Sequence, residues 1–511
     1  MMTGRKRSNR RKERLKSPLL DRPFQLVKNP LPPMAWASDA ELDKLHEASM
    51  EILENIGLDF LDDETLDIWE KAGAKVDRTS RHAWLDRGLI LDAVSKAPSL
   101  FTWKARNPKY DLPIGENYIT FVPNSGMPYV SDLDGGRRTS TLADLENFIK
   151  LAHLIPTMHF GGGTHCEPQD INASTRHLHR LMASMTLTDK AIRDVPHGRI
   201  ITADNIEMMR ILFGGTLPED GPVIGGIVNV NSPLRYDDRM LGGLITFARA
   251  GQAIIITPFI MAGAMSPVTI ASALAQQNAE ALAGVALTQL VRPGAPVIYG
   301  GFTMNVDMRS GSPAFGSPEG AWAAIVGAQM ARRYGLPYRS SGSLTNAQTP
   351  DAQAAIETMW SMWPAVMSHT NFVHHAIGWL ETGLVASFEK FIIDLEAVAM
   401  FTHFMNGFQI NDDTLALDMI EEVGPGGHHF GTTHTQARFE TAFYQPHLFD
   451  RQNYETWRSS GAEDAPQRAN GIFKQLLKQY EKPALSPAIL DELNEFVTKR
   501  EKELVGVDLY N

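Results

Sequence analysis

The sequence predicts an α/β fold, a (β/α)8 TIM barrel with a helical N-terminal extension and a C-terminal extension. From about residue 115, short β-prone runs recur with starts roughly 30–45 residues apart, and helical patterns fill most of the gaps. This alternation is typical of a parallel sheet, and eight such units match the size of one barrel. An open doubly wound sheet is the alternative, but the chain lacks the loops G-x-G-x-x-G and G-x-x-x-x-G-K-[ST].

The chain of 511 residues divides into four segments. Its first 16 residues hold eight Lys or Arg and one Glu, which indicates a solvated tail. Ser38 and Glu41 have the spacing of a capping box, which predicts the start of a helix. The predicted segments are 1–37, a basic disordered tail with a Pro-rich lead-in; 38–114, the helical extension; 115–410, the barrel domain; and 411–511, the C-terminal extension, with a His- and Gly-rich loop at 424–434.

Eight runs rich in β-branched, aromatic and other apolar residues predict the strands of the barrel. Between the later runs, helix boundaries are explicit: Ser317 precedes Pro318 in the order of an N-cap and first helical residue, and Gly335 follows the last helical position. The predicted strands are Tyr118–Val122, Met158–Gly161, Ala191–Val195, Val223–Val230, Ala253–Phe259, Pro296–Tyr299, Pro337–Ser340 and Phe372–His375.

Charge, cysteine content and hydropathy exclude several classes of protein. The net charge is −11 although the tail is basic, so the rest of the chain is strongly acidic, which argues against a nucleic-acid surface. One cysteine, Cys166, excludes an internal disulfide and a Cys-based zinc site. The longest apolar run, 253–265, is too short for a bilayer, and no secretion signal is evident. We expect a cytoplasmic homo-oligomer that binds neither nucleic acid nor membrane.

The residues that follow the predicted strands are candidates for a site, because function in a barrel lies at the carboxyl ends of its strands. They include several aromatic and few charged residues, a lining that suits a bulky, weakly hydrated cation. Motifs of hydrolytic enzymes are absent. Ordinary core packing is the alternative interpretation for the aromatic rings and for one of the adjacent histidines His374 and His375. The candidates are Asn229, Tyr299, Phe302, Asn346, His374, His375, Trp379 and Glu381.

The loop at 424–434 combines four glycines with His428, His429 and His434. Its histidines match no standard zinc spacing, so we predict no metal site. A cap that faces a ligand, cofactor or partner is the first interpretation, and a structural loop is the alternative.

Five segments in constant order and spacing carry a resemblance to a known family. The chain is similar, over about residues 38–480, to the corrinoid-dependent trimethylamine methyltransferases and especially to their members without pyrrolysine, such as glycine betaine:corrinoid methyltransferases. The segments are Ser266–Gly284, Pro293–Gly300, Gly342–Ala352, Gly378–Ser387 and Val423–Arg451, which contains GPGGHHFGTTHT.

The resemblance implies a (β/α)8 barrel that passes a methyl group from an amine to the Co(I) corrinoid of a separate protein. Trimethylamine enzymes carry pyrrolysine near the stretch that corresponds to Ser341–Thr345, where this chain has only ordinary residues. A quaternary ammonium such as glycine betaine needs no such helper, because a neutral tertiary amine can leave. The corrinoid must arrive on a partner, since the D-x-H-x-x-G pattern of cobalamin carriers is absent.

Provisional roles follow for the candidates. Glu381 is the expected counter-charge of the ammonium, with His374, His375 and Asn229 as the other catalytic groups. The substrate would bind Tyr299, Phe302, Trp379 and Asn346, and the three histidines of the 424–434 loop would face the cofactor or partner. Two other interpretations remain open: the same fold acting on another N- or S-methyl zwitterion or with another acceptor, and a non-catalytic quaternary-amine binding protein.

Overall fold

The computed structural model describes residues 19–20 and 22–509; the basic tail predicted at 1–16 lies outside them. The lead-in that follows packs on the body. Its strand β1 (Val27–Lys28) pairs antiparallel with the start of β7 (Tyr118–Phe121), and the Met34 amide donates to the Met367 carbonyl at 2.8 Å.

The N-terminal extension is helical with short strands. Helix α1 (Asp39–Glu51) begins at the predicted capping box, where the Ser38 amide donates to Glu41 Oε2 at 2.9 Å. Gly57, with φ +79°, follows a π-helical turn that continues α1. The other elements of the extension are β2 (Leu58–Phe60), α2 (Asp63–Lys71), β3 (Lys75–Asp77), β4 (His82–Trp84), α3 (Arg87–Val94), β5 (Leu100–Trp103) and β6 (Leu112–Gly115).

A parallel sheet forms the centre of a mixed α/β fold. Its strands lie in the spatial order β7, β16, β15, β13, β12, β10, and every neighbouring pair in this order is parallel. Strand β14 extends the wall by pairing with the second half of β12. Besides β7, these strands are β10 (Gly225–Val230), β12 (Ala253–Ala262), β13 (Val297–Gly300), β14 (Phe302–Asn305), β15 (Tyr338–Ser341) and β16 (Phe372–His374).

Two of the eight predicted strands, Met158–Gly161 and Ala191–Val195, are not regular strands. They meet only in an isolated parallel bridge between Phe160 and Ala191. Only glycine fits at position 161 without a shift of its neighbours, because a Cβ at this position would lie 2.2 Å from Thr188 Oγ1. The backbone therefore passes close to Thr188, beside the isolated bridge.

Helices cover the sheet. The longest of them, α8 (Ile270–Val291), packs on β12 and also contacts α1 and α3, so nearly all of its faces are buried. Its N-cap is Thr269, and α9 begins after Ser317 as predicted. The other helices of the central region are α4 (Leu142–Leu154), α5 (Arg176–Leu187), α6 (Gly198–Leu212), α7 (Asp238–Arg249), α9 (Pro318–Arg333), α10 (Ala352–Met367) and α11 (Phe388–Met405).

A second, small sheet stands beside the carboxyl end of β16. The hairpin of β8 (Tyr129–Asp132) and β9 (Gly136–Thr139) pairs in it with β18 (Val385–Ser387), and β18 pairs with β17 (Trp379–Leu380). Strand β11 (Arg235–Tyr236) joins the sheet of the extension instead.

Beyond α11, the chain forms an arm (residues 406–443) and then returns to the body. Tyr444 donates to Glu396 on α11, and the Leu448 amide donates to the same carboxylate at 2.8 Å. The elements of this part are α12 (Asp412–Leu415), α13 (Leu417–Val423), α14 (Thr433–Arg438), α15 (Tyr454–Ser459), α16 (Ala465–Lys478) and α17 (Pro487–Glu503).

Candidate active site

A cavity of about 390 Å³ opens at the carboxyl ends of the parallel strands. Side chains of the central strands, of the irregular segment after Ala191 and of the loops around β17 form its wall. The lining residues are Ser125, Arg193, Val195, His197, Ile227, Asn229, Val230, Thr257, Phe259, Phe302, Pro313, Phe315, Arg339, His374, His375, Trp379, Thr382 and Gly383.

Strand register places polar and aromatic side chains at different depths of this cavity. Asn229 is paired with Thr257, and Arg339 on β15 is paired with Gly300, the last residue of β13. Phe259 is paired with Phe302. Phe259 comes two residues after Thr257, and Phe302 comes two residues after Gly300. Since the strands run towards the cavity mouth, the backbone of the polar layer lies deeper than that of the aromatic layer. The Arg339 guanidinium extends from the polar layer to 5.0 Å from the centre of the Phe302 ring.

Three aromatic rings form one side of the cavity near its mouth. The ring centroids of Phe302 and Phe315 are 5.6 Å apart, and those of Phe315 and Trp379 are 5.1 Å apart at nearly a right angle. The Trp379 indole donates from Nε1 to the Thr345 carbonyl at 3.1 Å and covers Gly383, where a Cβ would lie 2.6 Å from the ring. The ring is therefore held in place, and a preorganised aromatic surface suits a cationic ligand.

His374 and His375 stack with ring centroids 3.8 Å apart. Arg339 donates to His374 Nδ1 at 3.0 Å, and Ser341 Oγ lies 3.1 Å from His375 Nδ1. Burial, aided by neighbouring positive charge, lowers the pKa of both histidines well below its ordinary value. His374 is therefore neutral near pH 7, and since its Nδ1 accepts a hydrogen bond, its proton resides on Nε2.

His375 has a backbone φ of +55°, a left-handed conformation that is costly for a residue other than glycine. This conformation lets two consecutive side chains, those of His374 and His375, line the same cavity, whereas residues of a regular strand alternate between faces.

Two buried arginines lie in the cavity wall. Arg193 donates to the Asn124 carbonyl at 3.3 Å, and Arg339 donates to the Gly301 carbonyl at 3.1 Å. Burial lowers the pKa of Arg193 to about 10 and that of Arg339 to about 9. Both values leave the guanidinium groups charged at neutral pH.

The cavity lining contains no carboxylate that could balance these arginines. Asp194, next to Arg193 in the chain, lies outside this lining. It forms a buried ion pair with Arg180, which also binds Glu167 at 2.9 Å, and its charge raises the pKa of Arg193 against the effect of burial. The deep end of the cavity is therefore electropositive, and its mouth is aromatic.

Five of the eight strand-end candidates line the cavity: Asn229, Phe302, His374, His375 and Trp379. The structure thus brings together two histidines, an amide and two aromatic rings that lie far apart in the sequence.

The other three candidates lie outside the cavity lining. Tyr299 points towards α8, where its hydroxyl donates to Asn278 Oδ1 at 3.0 Å. Asn346 braces a loop by accepting from the Phe315 amide at 2.9 Å. Glu381 forms an ion pair with Arg137 of β9 at 2.9 Å, so its charge is already balanced.

The three loop histidines lie on the arm. His434 contacts the Asp413 carbonyl within the arm, at 3.2 Å, and the rings of His428 and Phe430 are 6.0 Å apart. Helix α11 begins directly after β18, and the arm follows its other end. The two ends of this 18-residue helix are about 26 Å apart. None of these histidines is among the residues that line the cavity.

Arg193, Arg339 and Phe315 line the cavity but were not predicted from the sequence. One signal was available for Arg339, because it interrupts a run that otherwise predicts a buried strand, and a charged residue in such a strand is rarely only structural. Phe315 lies in a long loop after β14, and no local pattern indicates that this loop folds over the cavity.

Other kinds of site find no support in the described part of the chain. Residues 19–20 and 22–509 hold no group of three His, Cys, Asp or Glu side chains arranged to bind a metal. Burial raises the pKa of the Cys166 thiol well above its ordinary value, which makes it a poor nucleophile. Within the same residues, no helix is both long and apolar enough to cross a bilayer.

Comparison with known proteins confirms the resemblance read from the sequence. The chain is 42% identical over 475 residues to the glycine betaine methyltransferase of Desulfitobacterium hafniense strain Y51, covering 93% of this chain and 98% of that protein. It is 29% identical to a trimethylamine methyltransferase of D. hafniense strain DCB-2, covering 92% and 95% of the two chains.

Among solved structures, the monomethylamine methyltransferase of Methanosarcina barkeri shares the fold, with a TM-score of 0.53 at 9% identity and coverage of 88% of this chain and 90% of that chain. The family model of trimethylamine methyltransferase matches residues 3–505. With nearly the whole chain matched, this protein is a member of the trimethylamine methyltransferase family.

Proposed function

We propose that the protein transfers a methyl group from a quaternary amine of the glycine betaine class to the Co(I) corrinoid of a partner protein. The observation that carries this proposal is the aromatic wall of Phe302, Phe315 and Trp379 at the mouth of a small cavity. Such a wall attracts a trimethylammonium group through cation–π contacts, and it holds the methyl groups near the opening. The relative at 42% identity is named for the same reaction class.

The chemistry is a displacement at a methyl carbon. The electron pair of Co(I) forms the new cobalt–carbon bond, the carbon–nitrogen bond breaks, and its electron pair stays on nitrogen. The ammonium thereby leaves as a neutral dimethylamino group, and no proton is needed. The tasks of the chain are to hold the ammonium, aim one methyl outwards and exclude water.

The corrinoid acts as the second substrate and is brought by its own protein. A cavity of about 390 Å³ suits a small zwitterion, whereas a corrin macrocycle is much larger. The cobalt would therefore approach the mouth from outside, over the rim that Thr382, Gly383 and Pro313 form.

The roles proposed for individual residues change with the geometry. Phe302 and Trp379 keep the role of cation-binding rings, with Phe315 added to them. Asn229, His374 and His375 remain candidates for contacts with the substrate. For Glu381 the proposed role is to stabilise the rim of the cavity through its ion pair with Arg137, and not to contact the ammonium.

For the fold, we propose a closed (β/α)8 barrel. Three backbone hydrogen bonds support closure, since they connect the two outer strands of the sheet through the irregular segments: His159 to Phe121 at 3.4 Å, Gly161 to Ala191 at 3.2 Å and Asp194 to Gly225 at 3.0 Å. These segments would take the places of the second and third strands.

A homo-oligomer in the cytoplasm remains the prediction for assembly and location. The arm supports self-association, because it exposes a concentration of large apolar side chains that a monomer would leave in water. They include Phe408, Ile410, Leu417, Ile420, Phe430, Phe439 and Phe443.

The test is proton NMR of the purified chain with glycine betaine and a reduced Co(I) corrinoid. We expect dimethylglycine to appear with the methylated corrinoid in equal amounts. If glycine betaine, carnitine, proline betaine and choline all give no product while one of them binds in calorimetry, the protein is a binding protein instead.

A further inference from the structure

Four buried polar atoms of the cavity wall have no hydrogen-bond partner among the described residues. They belong to side chains that converge on the deep end of the cavity, and a buried polar atom without a partner is costly unless a ligand completes it. These atoms are Arg193 Nε, Arg339 Nε, His374 Nε2 and Thr257 Oγ1.

Three of these atoms are hydrogen-bond donors. Arginine can only donate, and the neutral His374 carries its proton on Nε2 because its Nδ1 accepts from Arg339. The fourth, Thr257 Oγ1, can donate as well. The missing partner is therefore an acceptor.

Charge narrows the identity of that acceptor. Arg193 and Arg339 are each fully buried and lie close enough for each to repel the charge of the other. No carboxylate lines the cavity. Asp194, behind the lining, pairs with Arg180 and only partly offsets the effect of burial on Arg193. An anion is the ligand that such an enclosure stabilises most.

We propose that Arg193 and Arg339, assisted by His374 Nε2, bind the carboxylate of the substrate and thereby select a zwitterion over a simple quaternary amine. This inference rests on the proposed function for the identity of the ammonium end. The depth order supports it, since the backbone of the polar layer lies below that of the aromatic layer. A carboxylate held at the bottom would leave the trimethylammonium group between the rings, with its methyl groups towards the mouth.

The absence of a carboxylate from the cavity lining fits this assignment. A carboxylate in the cavity wall would compete with the substrate for the arginines. In a zwitterion, the substrate itself supplies the anion that the arginines lack, while the rings receive its cation.

The test uses three probes and calorimetry on the full chain. Glycine betaine carries both charges, choline keeps the trimethylammonium group but has an alcohol, and 3,3-dimethylbutanoate keeps the carboxylate but has carbon in place of nitrogen. We expect the wild type to bind glycine betaine about 30-fold or more tightly than choline, and 3,3-dimethylbutanoate far more tightly than its alcohol 3,3-dimethylbutan-1-ol.

Two kinds of variant separate the two ends of the site. Arg339→Gln and Arg193→Gln are each expected to weaken glycine betaine and 3,3-dimethylbutanoate about 30-fold or more, and to leave choline unchanged or tighter. Phe315→Leu is the matched control, expected to weaken glycine betaine and choline but not 3,3-dimethylbutanoate. Should a glutamine variant fail to fold, two other measurements test the proposal: binding by Arg339→Lys, and the comparison of 3,3-dimethylbutanoate with 3,3-dimethylbutan-1-ol in the wild type.

Equal binding of choline and glycine betaine by the wild type, or an equal loss of both in the arginine variants, would overturn the proposal. These outcomes are distinct from failure of the proposed function. Arginine-dependent binding without methyl transfer leaves the carboxylate site standing and removes the reaction, whereas equal demethylation of choline and glycine betaine leaves the reaction and removes the carboxylate site.

Discussion

At the scale of residues, Trp379 combines two constraints that make it a sensitive probe of the aromatic wall. Its indole is anchored to the Thr345 carbonyl, and its ring stands nearly perpendicular to Phe315. We expect Trp379→Ala to lower kcat/KM for a quaternary amine about tenfold or more, since it removes a cation–π surface and admits water. Steady-state kinetics would show this, with Trp360→Ala, an exposed tryptophan on α10, as the matched control.

Buried histidines should make stability dependent on pH in a defined direction. Burial lowers the pKa of His159 and of His165 to about 4 from an ordinary 6.5. Between these values the unfolded chain binds the proton and the folded chain does not, so stability is full above pH 6.5 and falls as the pH drops towards 4. The free energy of unfolding should fall by about 1.4 kcal/mol per pH unit for each such histidine.

Denaturant titrations at pH 7 and pH 5 would measure this slope. His165→Gln keeps a donor for the Gly161 carbonyl but cannot titrate, so it should reduce the slope by the share of one histidine. An unchanged slope in this variant would show that His165 is not the neutral buried group inferred here.

At the scale of elements, two helical glycines offer opposite expectations. A Cβ at Gly243 in α7 would lie 1.9 Å from the Pro196 carbonyl oxygen, whereas a Cβ at Gly471 in α16 would meet nothing within 4 Å. Gly243→Ala should therefore separate α7 from the segment before α6 and destabilise the protein by about 1–3 kcal/mol or more.

Gly471→Ala is the control, expected to stabilise the protein by about 0.5–1 kcal/mol through helix propensity alone. Thermal unfolding of both variants would distinguish the two effects. A stabilised Gly243→Ala variant would mean that α7 does not pack as closely as the structure shows.

The elements that the sequence predicts well are those that local chemistry determines. The capping box at Ser38 and the Ser317-Pro318 start of α9 depend on residues no more than three positions apart, and both are confirmed. The segments at 158–161 and 191–195 depend instead on contacts with distant loops, and their prediction as regular strands is wrong. Likewise, the ion pair that removes Glu381 from the site joins it to Arg137, 244 positions away.

The candidate site shows the same difference between features that local sequence determines and features that depend on tertiary contacts. Positions after strands could be listed from the sequence, and five of the eight candidates do line the cavity. Which side of a strand faces inwards, and which loop folds over the mouth, depended on register and tertiary packing. This is why Arg193 and Phe315 were not among the candidates.

At the scale of the whole molecule, the cavity and the arm lie at different ends of α11. Tyr444, just after the arm, also contacts Arg22 of the lead-in, whose guanidinium lies 4.7 Å from its ring centre. Arg22 and Tyr444 line one surface cavity with Thr157, which directly precedes the predicted strand Met158–Gly161, so this end of the arm lies near the amino ends of the strands. The proposed assembly through the arm should therefore be separable from methyl transfer at the mouth.

The separation gives a test of self-association through the arm. Phe408, Phe430 and Phe443 are 86%, 81% and 73% exposed, and such apolar area is stable in water mainly when a partner covers it. We expect the triple substitution to serine to reduce the molecular mass seen in sedimentation velocity, while kcat/KM per chain changes less than about twofold. Val505→Ser, at a similarly exposed site outside the arm, should change neither quantity. A triple variant with the mass of the wild type would exclude the arm as the interface, and one that loses activity together with mass would show that assembly supports the mouth after all.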